Sequence, residues 1–454
     1  MEERKENRMG TMPVGKLLVT MSLPIMISML IQALYNIVDS IFVAQIGENA
    51  LTAVSLAFPV QNLIIAVGIG TGIGINSLLS RRLGERRFAD AHAAAEHGIL
   101  LSLCNWLVFA IFGGLFSEAF FRAFTENPEI ISMGTDYLTV CTVFSFGCFM
   151  QFACERILQA TGITIYNMIT QATGAIINII LDPIMIFGLF GFPRLGVKGA
   201  AIATVIGQIV AMLMGLWFNA KKNKEVHMDF RHFRPNGRII GEIYKVGVPS
   251  IVMQSIGTVM TIGMNKILIA FSETAVAVFG VYFKLQSFVF MPIFGLTNGL
   301  VPIVAYNYGA RKRTRITASI RLALVYALSI MALGLLIFQL FPVPLLRLFK
   351  ASDALLSIGV PALRIISISF LGAGVGIVLS SVFQAMGNGV LSLTMSVARQ
   401  LAVLLPVAWL MARFVGLDAV WAAFPVSEYV SVTIALFMYR YVYHNHIATL
   451  ADEA

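Results

Sequence analysis

Apolar residues run in long stretches along the whole chain, and short polar segments separate them. A helix of about 20 apolar residues is long enough to cross a lipid bilayer. The pattern therefore predicts an all-α integral membrane protein with twelve transmembrane helices. We place these spans at residues 16–46, 51–80, 91–116, 133–160, 164–190, 197–220, 241–271, 276–305, 316–342, 355–386, 390–414 and 417–443.

The pattern also repeats once, at a constant separation of 225 positions. Residues 23–87 align without a gap on residues 248–312, which places Pro24 on Pro249 and, further along, Gly74 on Gly299. A repeat unit of six spans is typical of secondary transporters. Because six is an even number, both copies enter the membrane in the same direction. We therefore expect two six-helix lobes related by pseudo-twofold symmetry along the membrane normal.

The longest polar stretch between spans lies at the middle of the chain, around residues 220–245. It predicts an N-terminal lobe at 1–220 with spans one to six, a cytoplasmic linker at 221–240, and a C-terminal lobe at 241–454 with spans seven to twelve. The repeated glycines of spans two and eight have GxxxG spacing, which favours close helix packing over a phosphate-binding loop. They include Gly70, Gly74, Gly295 and Gly299.

Composition and charge agree with a membrane protein. Hydrophobic residues make up 58% of the chain and charged residues 12%, against about 45–50% and 25% in soluble proteins. Most of the 32 lysines and arginines fall in the even-numbered loops and the tails. This positive-inside bias places both termini in the cytoplasm and indicates a multi-pass protein of the cytoplasmic (inner) membrane. Solvated basic loops explain the net charge of +9 better than nucleic-acid binding does.

Familiar catalytic and cofactor motifs are missing from the sequence. It has no GxxxxGKS/T loop, no HExxH and no GxSxG, so neither an ATP-driven pump nor an intramembrane enzyme is expected. The four cysteines form no CxxC pair, which favours buried free thiols over a metal site. We expect no cofactor. A channel fits poorly with a duplicated bundle that has no pore-loop signature.

Polar residues interrupt three spans of the first half at helical spacing. They are Gln32, Tyr35, Asn36 and Asp39 in span one, Asn178 and Asp182 in span five, and Thr204 and Gln208 in span six. A carboxylate near the centre of a membrane helix costs about 2.5–3.5 kcal/mol, so such groups usually face a cavity or a partner. Two close aspartates repel when both are ionised, and a proton or a Na⁺ between them relieves this. Asp39 and Asp182 are therefore candidate cation-coupling residues, although solvation at the span ends would also explain them.

The second half does not duplicate these acids, because Asp39 corresponds to Met264 and Asp182 to Val407. The sequence therefore places energy coupling in the first half. Span four of the first half also carries Glu155 and Arg156, which we interpret as an interfacial pair. The second half instead carries charged residues whose roles the pattern does not indicate, namely Lys266, Lys284, Arg364, Arg399 and Glu428.

Several segments resemble the multidrug and toxic compound extrusion (MATE) family, and within it the bacterial MepA-like branch. They are SLPIMISMLIQALYNIVDSIFVAQIGENALTAVSLAFPV, LQATG, NIILDPIMIFG and GVKGAAIATVIGQ. The resemblance covers nearly the whole chain. It implies two six-helix lobes around a V-shaped cleft, and efflux of cationic and amphiphilic drugs and dyes driven by entry of H⁺ or Na⁺.

Residue by residue, the resemblance implies that a first-lobe cation site is present. It matches the family's cation-site residues to Asp39, Tyr137, Asn178, Asp182 and Thr204, with a possible Na⁺ at Asp39, Asn178, Asp182 and Thr204. It also matches the proline associated with bending of the first span to Pro24. The second-lobe acids of some relatives have no counterpart in spans seven and ten. A weaker expectation is that Gln32, Tyr35, Asn36 and Gln208 line the substrate cleft.

Together these patterns predict a secondary active multidrug antiporter, not an enzyme. It would export small, cationic or amphiphilic drugs and dyes, contact membrane lipids and act as a monomer. The alternatives are a flippase for a lipid-linked precursor and an exporter of an endogenous metabolite on the same fold.

Overall fold

The computed structural model describes residues 5–451, and these form eighteen α-helices without any strand. The helices of the first half are α1 (Arg8–Thr11), α2 (Val14–Ala44), α3 (Glu48–Gly84), α4 (Phe88–Phe124), α5 (Pro128–Val143), α6 (Phe146–Ala160), α7 (Ile165–Phe187) and α8 (Val197–Lys221). Those of the second half are α9 (Gly237–Ile269), α10 (Glu273–Gly309), α11 (Arg313–Leu340), α12 (Pro342–Arg347), α13 (Asp353–Ser367), α14 (Phe370–Ala385), α15 (Gly389–Val397), α16 (Leu405–Phe414), α17 (Leu417–Trp421) and α18 (Ala423–Val442).

All twelve predicted spans have a helical counterpart in the described part of the chain. Ten are continuous helical segments that are long and apolar enough to cross a membrane. In two of them, π-helical turns at Ala398–Leu404 and Tyr443–Ile447 continue the α-helix. The other two counterparts are bent pairs, α5 with α6 at 41° and α13 with α14 at 48°. The all-α, multi-span fold class is confirmed.

The two bends lie in the fourth and the tenth span, and each has a serine at the break. Ser145 donates to the carbonyl of Thr142 at 2.7 Å, and Ser369 donates to the carbonyl of Ile366 at 2.6 Å. A serine hydroxyl that bonds a carbonyl one turn earlier competes with the helical ladder and bends the helix. The apolar pattern alone did not predict these breaks, since both span interiors remain hydrophobic.

The repeat appears in the structure with the same separation as in the sequence. Helix α3 covers Glu48–Gly84 and helix α10 covers Glu273–Gly309, 37 residues each. Just after each helix, Arg86 and Arg311 both adopt a positive φ of 57°. The duplicated scaffold is therefore visible in the ends of single helices.

The described residues divide into two compact units. One unit comprises Ile27–Gly247, and the second unit comprises the remaining described residues on both sides of it. Helices α2 and α9 each begin in one unit and continue into the other. The two changes occur just after Pro24 and just before Pro249, which are the repeated prolines inside these helices. The predicted division into 1–220, 221–240 and 241–454 stays a prediction.

The repeated glycines pack helices closely within each unit. In the Ile27–Gly247 unit, a Cβ on Gly74 would collide with the backbone carbonyl of Ile243 on α9. In the second unit, a Cβ on Gly299 would lie 2.9 Å from the Cα of Ser22 on α2. Only glycine allows backbones to approach so closely, as the spacing predicted.

Candidate functional site

The two predicted coupling acids meet inside the Ile27–Gly247 unit. Asp39 lies near the end of α2, and Asp182 lies in the last turns of α7 and is fully buried. Their carboxyl groups approach closely enough for a side-chain hydrogen bond between them. Two carboxyl groups this close repel each other when both are ionised, and a positive charge between them relieves that repulsion.

One oxygen of each acid is left without a partner. Oδ1 of Asp39 and Oδ1 of Asp182 are buried and accept no hydrogen bond from any described residue. Buried carboxylate oxygens normally have partners, and an unsatisfied one costs free energy. Carboxylate oxygens are also the ligands that hard cations prefer. The two free oxygens thus fit a bound proton or a small cation such as Na⁺.

Asn178 links the acid pair to α8. With its amide nitrogen facing Asp182, Asn178 donates to Oδ2 of Asp182 at 3.0 Å. Its amide oxygen then accepts from the hydroxyl of Thr204 at 3.0 Å and from the backbone N–H of Thr204 at 2.9 Å. This orientation gives every polar atom of the amide a compatible partner, which is how amide orientation is assigned. Four of the predicted residues therefore form one connected group, namely Asp39, Asn178, Asp182 and Thr204.

Tyr137 is close to this group but is held by a residue that the sequence did not single out. It is 3% exposed on α5, and its hydroxyl accepts a hydrogen bond from the amide of Gln61 at 2.9 Å. Gln61 also reaches the thiol of Cys141 at 3.6 Å. The structure thus connects Tyr137 to α3 through Gln61. Its role at the cation site stays a prediction.

A pocket of about 610 Å³, including the part open to solvent, lies beside the acid pair in the same unit. Its lining includes Gln32, Tyr35 and Gln208, three of the four residues predicted to line the cleft. Asn178 and Thr204 also line it, so they belong to both the pocket and the cation site. Asn36 does not line this pocket, and its side chain is exposed.

The far wall of the pocket contains polar residues that sequence reasoning missed. Gln151 of α6 and Gln171 of α7 line it, and both donate to the buried carboxylate of Glu155. Glu155 therefore bonds glutamines and is not half of an interfacial pair with Arg156, as the sequence analysis expected. Gln171 stands on the α7 face that continues to Asn178 and Asp182, and this helical spacing was the available signal.

The charged residues of the second unit make contacts that are separate from this pocket. Nη1 of Arg399, on the π-helical turn, lies 3.6 Å from Oε1 of Glu428 on α18. Lys284 lies 5.8 Å from the ring centroid of Phe349. Arg364 donates to the carbonyl of Gln339 at 3.3 Å. Each of these contacts joins two residues within that unit.

Comparison with known proteins identifies the family. The model of the family described as MatE matches the chain twice, at residues 24–184 and 249–410. The chain belongs to the MatE family. The two matches start 225 positions apart, at 24 and 249, which agrees with the internal repeat. Membership confirms the resemblance on which the sequence analysis relied, and the chain is a multi-pass membrane protein of a transporter family.

Individual relatives cover almost the whole chain. "Multidrug export protein MepA" of Staphylococcus haemolyticus (strain JCSC1435) is 28% identical over 94% of this chain and 93% of its own length. A protein named "FAD transporter" from Shewanella oneidensis is 26% identical over 97% of both chains. The chain is thus similar to proteins with different named substrates.

Solved structures show the same fold. An outward-facing multidrug resistance MATE family transporter of the MOP superfamily matches with a TM-score of 0.91, 28% identity and 99% of both chains covered. A MOP superfamily transporter from Pyrococcus furiosus, whose binding pocket is described as having reverse polarity, matches with a TM-score of 0.91 and 27% identity over 99% of both chains. The fold is therefore that of MATE transporters.

Proposed function

We propose that this protein is a secondary active multidrug antiporter of the cytoplasmic membrane, with both termini in the cytoplasm. It exports cationic and amphiphilic compounds in exchange for H⁺ or Na⁺ by alternating access. The multidrug export proteins among its relatives support the substrate class. The protein acts as a monomer without a cofactor and catalyses no covalent reaction.

The observation that carries this proposal is the facing pair of Asp39 and Asp182. Each acid keeps one buried oxygen free, and the two carboxyl groups lie close to each other. A bound H⁺ or Na⁺ removes the repulsion that two ionised acids would have. Asn178 donates to Asp182 and accepts from Thr204, which holds this acid in position beside Asp39.

Coupling follows from the residues that the cation site shares with the pocket. Because Asn178 and Thr204 line the pocket and also hold Asp182, a cation at the acids changes the wall that a substrate touches. A ligand shifts a conformational equilibrium only by binding the two states with different affinity. Entry of the coupling ion from outside therefore favours the state that releases the substrate outside.

The test is dye efflux from vesicles reconstituted with the full-length protein, with proton and Na⁺ gradients imposed separately. Wild type should export a cationic dye under at least one gradient, and that gradient identifies the ion. Asp39→Asn and Asp182→Asn should insert normally and lose gradient-driven efflux. Undiminished efflux in either variant would refute the cation site.

The similarity to a protein named FAD transporter favours a second candidate, export of an endogenous metabolite. The same vesicles decide between the two. Uptake of radiolabelled FAD that competes with the dye would favour the metabolite, whereas dye transport without FAD transport would favour multidrug efflux. The flippase alternative predicts instead that neither compound moves and that a lipid-linked precursor does.

A further inference from the structure

Glu155 is a buried carboxylate that the proposed coupling site does not use. It lies on α6 and is 3% exposed. Gln151 donates to its Oε1 at 2.9 Å, and Gln171 donates to its Oε2 at 3.0 Å. Both oxygens therefore accept hydrogen bonds from amide nitrogens, an arrangement that favours the ionised form of the carboxyl group. Among residues 5–451, no ion pair within 4.0 Å includes Glu155.

The neighbouring cation, Arg156, donates a hydrogen bond to a residue other than Glu155. Arg156 donates from Nη1 to Oε1 of Gln159 at 3.0 Å, and its stem packs at Gly72, where a Cβ would lie 2.6 Å from Cγ. The guanidinium therefore acts on Glu155 through space, without an ion-pair contact within 4.0 Å among residues 5–451. Burial of a carboxylate costs several kcal/mol relative to water. A cation brought near Glu155 would offset that cost.

The glutamines that hold Glu155 also form the pocket wall. Gln151 and Gln171 line the same pocket as Asn178 and Thr204. Oε1 of Gln171 is buried and has no hydrogen-bond partner in the described chain. Gln171 thus lines the pocket, keeps one unused acceptor, and bonds the carboxyl group of Glu155 through its amide nitrogen. This arrangement suits a ligand that both donates a hydrogen bond and carries positive charge.

A second unpartnered amide lies on the same face of α7. Asn167, one helical turn before Gln171, is 2% exposed, and neither its Oδ1 nor its Nδ2 has a hydrogen-bond partner within residues 5–451. Buried amides are normally satisfied, so an unsatisfied one calls for a partner outside the described chain. The face of α7 that runs to the acid pair therefore offers unused polar groups over two successive turns.

We propose that the Glu155 end of the pocket binds the protonated amine or amidinium group of the transported compound. The ligand N–H donates to Oε1 of Gln171, and Glu155 acts from behind as a positioning counter-charge. The apolar body of the ligand packs on Ile65 and Phe152, which also line the pocket. This inference rests on the proposed efflux function and assigns two separate roles. The Asp39–Asp182 pair binds the coupling ion, and Glu155 contributes to recognition of the cationic substrate.

The test measures equilibrium binding without any ion gradient, using the purified full-length protein in nanodiscs. The probes are the diamidine dye 4′,6-diamidino-2-phenylindole and the uncharged dye Nile red. Glu155→Gln should weaken diamidine binding at least tenfold and leave Nile red binding within twofold. Glu155→Asp keeps the charge and should retain most of the diamidine affinity, which a purely structural role would not predict.

Three outcomes would overturn the inference. They are equal losses for both dyes in Glu155→Gln, unchanged diamidine binding in that variant, and failure of wild type to bind the diamidine. If Glu155→Gln does not fold, Gln171→Met supplies the same comparison, because it removes the acceptor that faces the ligand. Asp39→Asn distinguishes this inference from the proposed function: it should lose gradient-driven efflux, and adding Glu155→Gln to it should still weaken diamidine binding at least tenfold.

Discussion

The amide of Asn178 lies 3.0 Å from a carboxylate oxygen of Asp182 and ties this acid to Thr204 on the next helix. A hydrogen bond to a charged group contributes about 1.5–3 kcal/mol. Because this bond stabilises the ionised acid, Asn178→Ala should lose the wild-type ion dependence: half-saturation by protons should need a proton concentration about 10- to 100-fold lower, since about 1.4 kcal/mol corresponds to a factor of ten. The measurement is the ion dependence of dye efflux in proteoliposomes.

Asn36→Ala is the matched control for this change. Asn36 is an amide on α2, one turn before Asp39, but its side chain is exposed and outside the pocket. The variant should keep the wild-type ion dependence. A similar loss in both variants would show that the effect comes from the helix surface and not from the contact with Asp182.

The sequence predicted the scaffold because its signals are local and repeated. Twelve apolar runs and a fixed separation of 225 positions do not depend on tertiary contacts. The meeting of Asp39 and Asp182 was also predictable, because two isolated acids in apolar spans need a common partner. The unit boundaries inside α2 and α9 were not, because a helix that continues through a boundary shows no change in composition.

The hydrogen bonds between Glu155 and its glutamine partners could not be predicted, for a different reason. Glu155 and Gln171 lie on different helices. Burying a neutral glutamine in an apolar span costs less free energy than burying an acid, so a glutamine is a weaker signal of a functional site. The adjacent Arg156 supplied a simpler local partner for Glu155. Only the direction of the side chains, which sequence spacing does not give, shows that Glu155 accepts from the two glutamines.

Asp39 and Asp182 should act as one unit in transport. Since the two acids share a single positive charge, losing either one already removes the site. The double variant Asp39→Asn/Asp182→Asn should therefore transport no less than the worse single variant, a strongly non-additive result. The measurement is the gradient-driven efflux rate of wild type, the two single variants and the double variant, which form a double-mutant cycle. If the fold losses of the two single variants multiply in the double variant, the acids bind separate cations.

The close helix contacts at Gly74 and Gly299 should not tolerate a side chain. Gly74→Ala pushes a methyl group into the carbonyl of Ile243, and Gly299→Ala pushes one onto Ser22. Overpacking usually costs about 1–3 kcal/mol. Both variants should lose thermal stability in detergent. Gly280→Ala is the control, because it lies in α10 with nothing within 4 Å of the added Cβ, and its unfolding temperature should stay the same or rise.

Pro24 and Pro249 should have equivalent roles. Each stands inside a long helix within two residues of a boundary between the compact units. A proline removes one helical hydrogen bond and makes bending easier at its position. Pro24→Ala and Pro249→Ala should each slow efflux severalfold while leaving diamidine binding unchanged. A normal rate in Pro249→Ala with a slow rate in Pro24→Ala would restrict the bending role to α2.

The segment before α9 should lose a contact with α4 when His97 is replaced. The backbone N–H of Asn236 donates to Nε2 of His97 at 2.8 Å, while Nδ1 of His97 bonds the carbonyl of Ala93 at 2.7 Å. The ring therefore donates from one nitrogen and accepts at the other. His97→Phe preserves an aromatic ring beside Phe233, whose centroid lies 4.9 Å from that of the imidazole, but removes the acceptor.

Hydrogen exchange at the Asn236 amide measures this contact. Protection of this amide should be high in the wild type and low in His97→Phe. His92→Phe is the matched control, because His92 accepts from the N–H of a different residue, His227, at 3.1 Å. This variant should leave the protection of the Asn236 amide unchanged. Equal protection in wild type and His97→Phe would show that other contacts hold the segment.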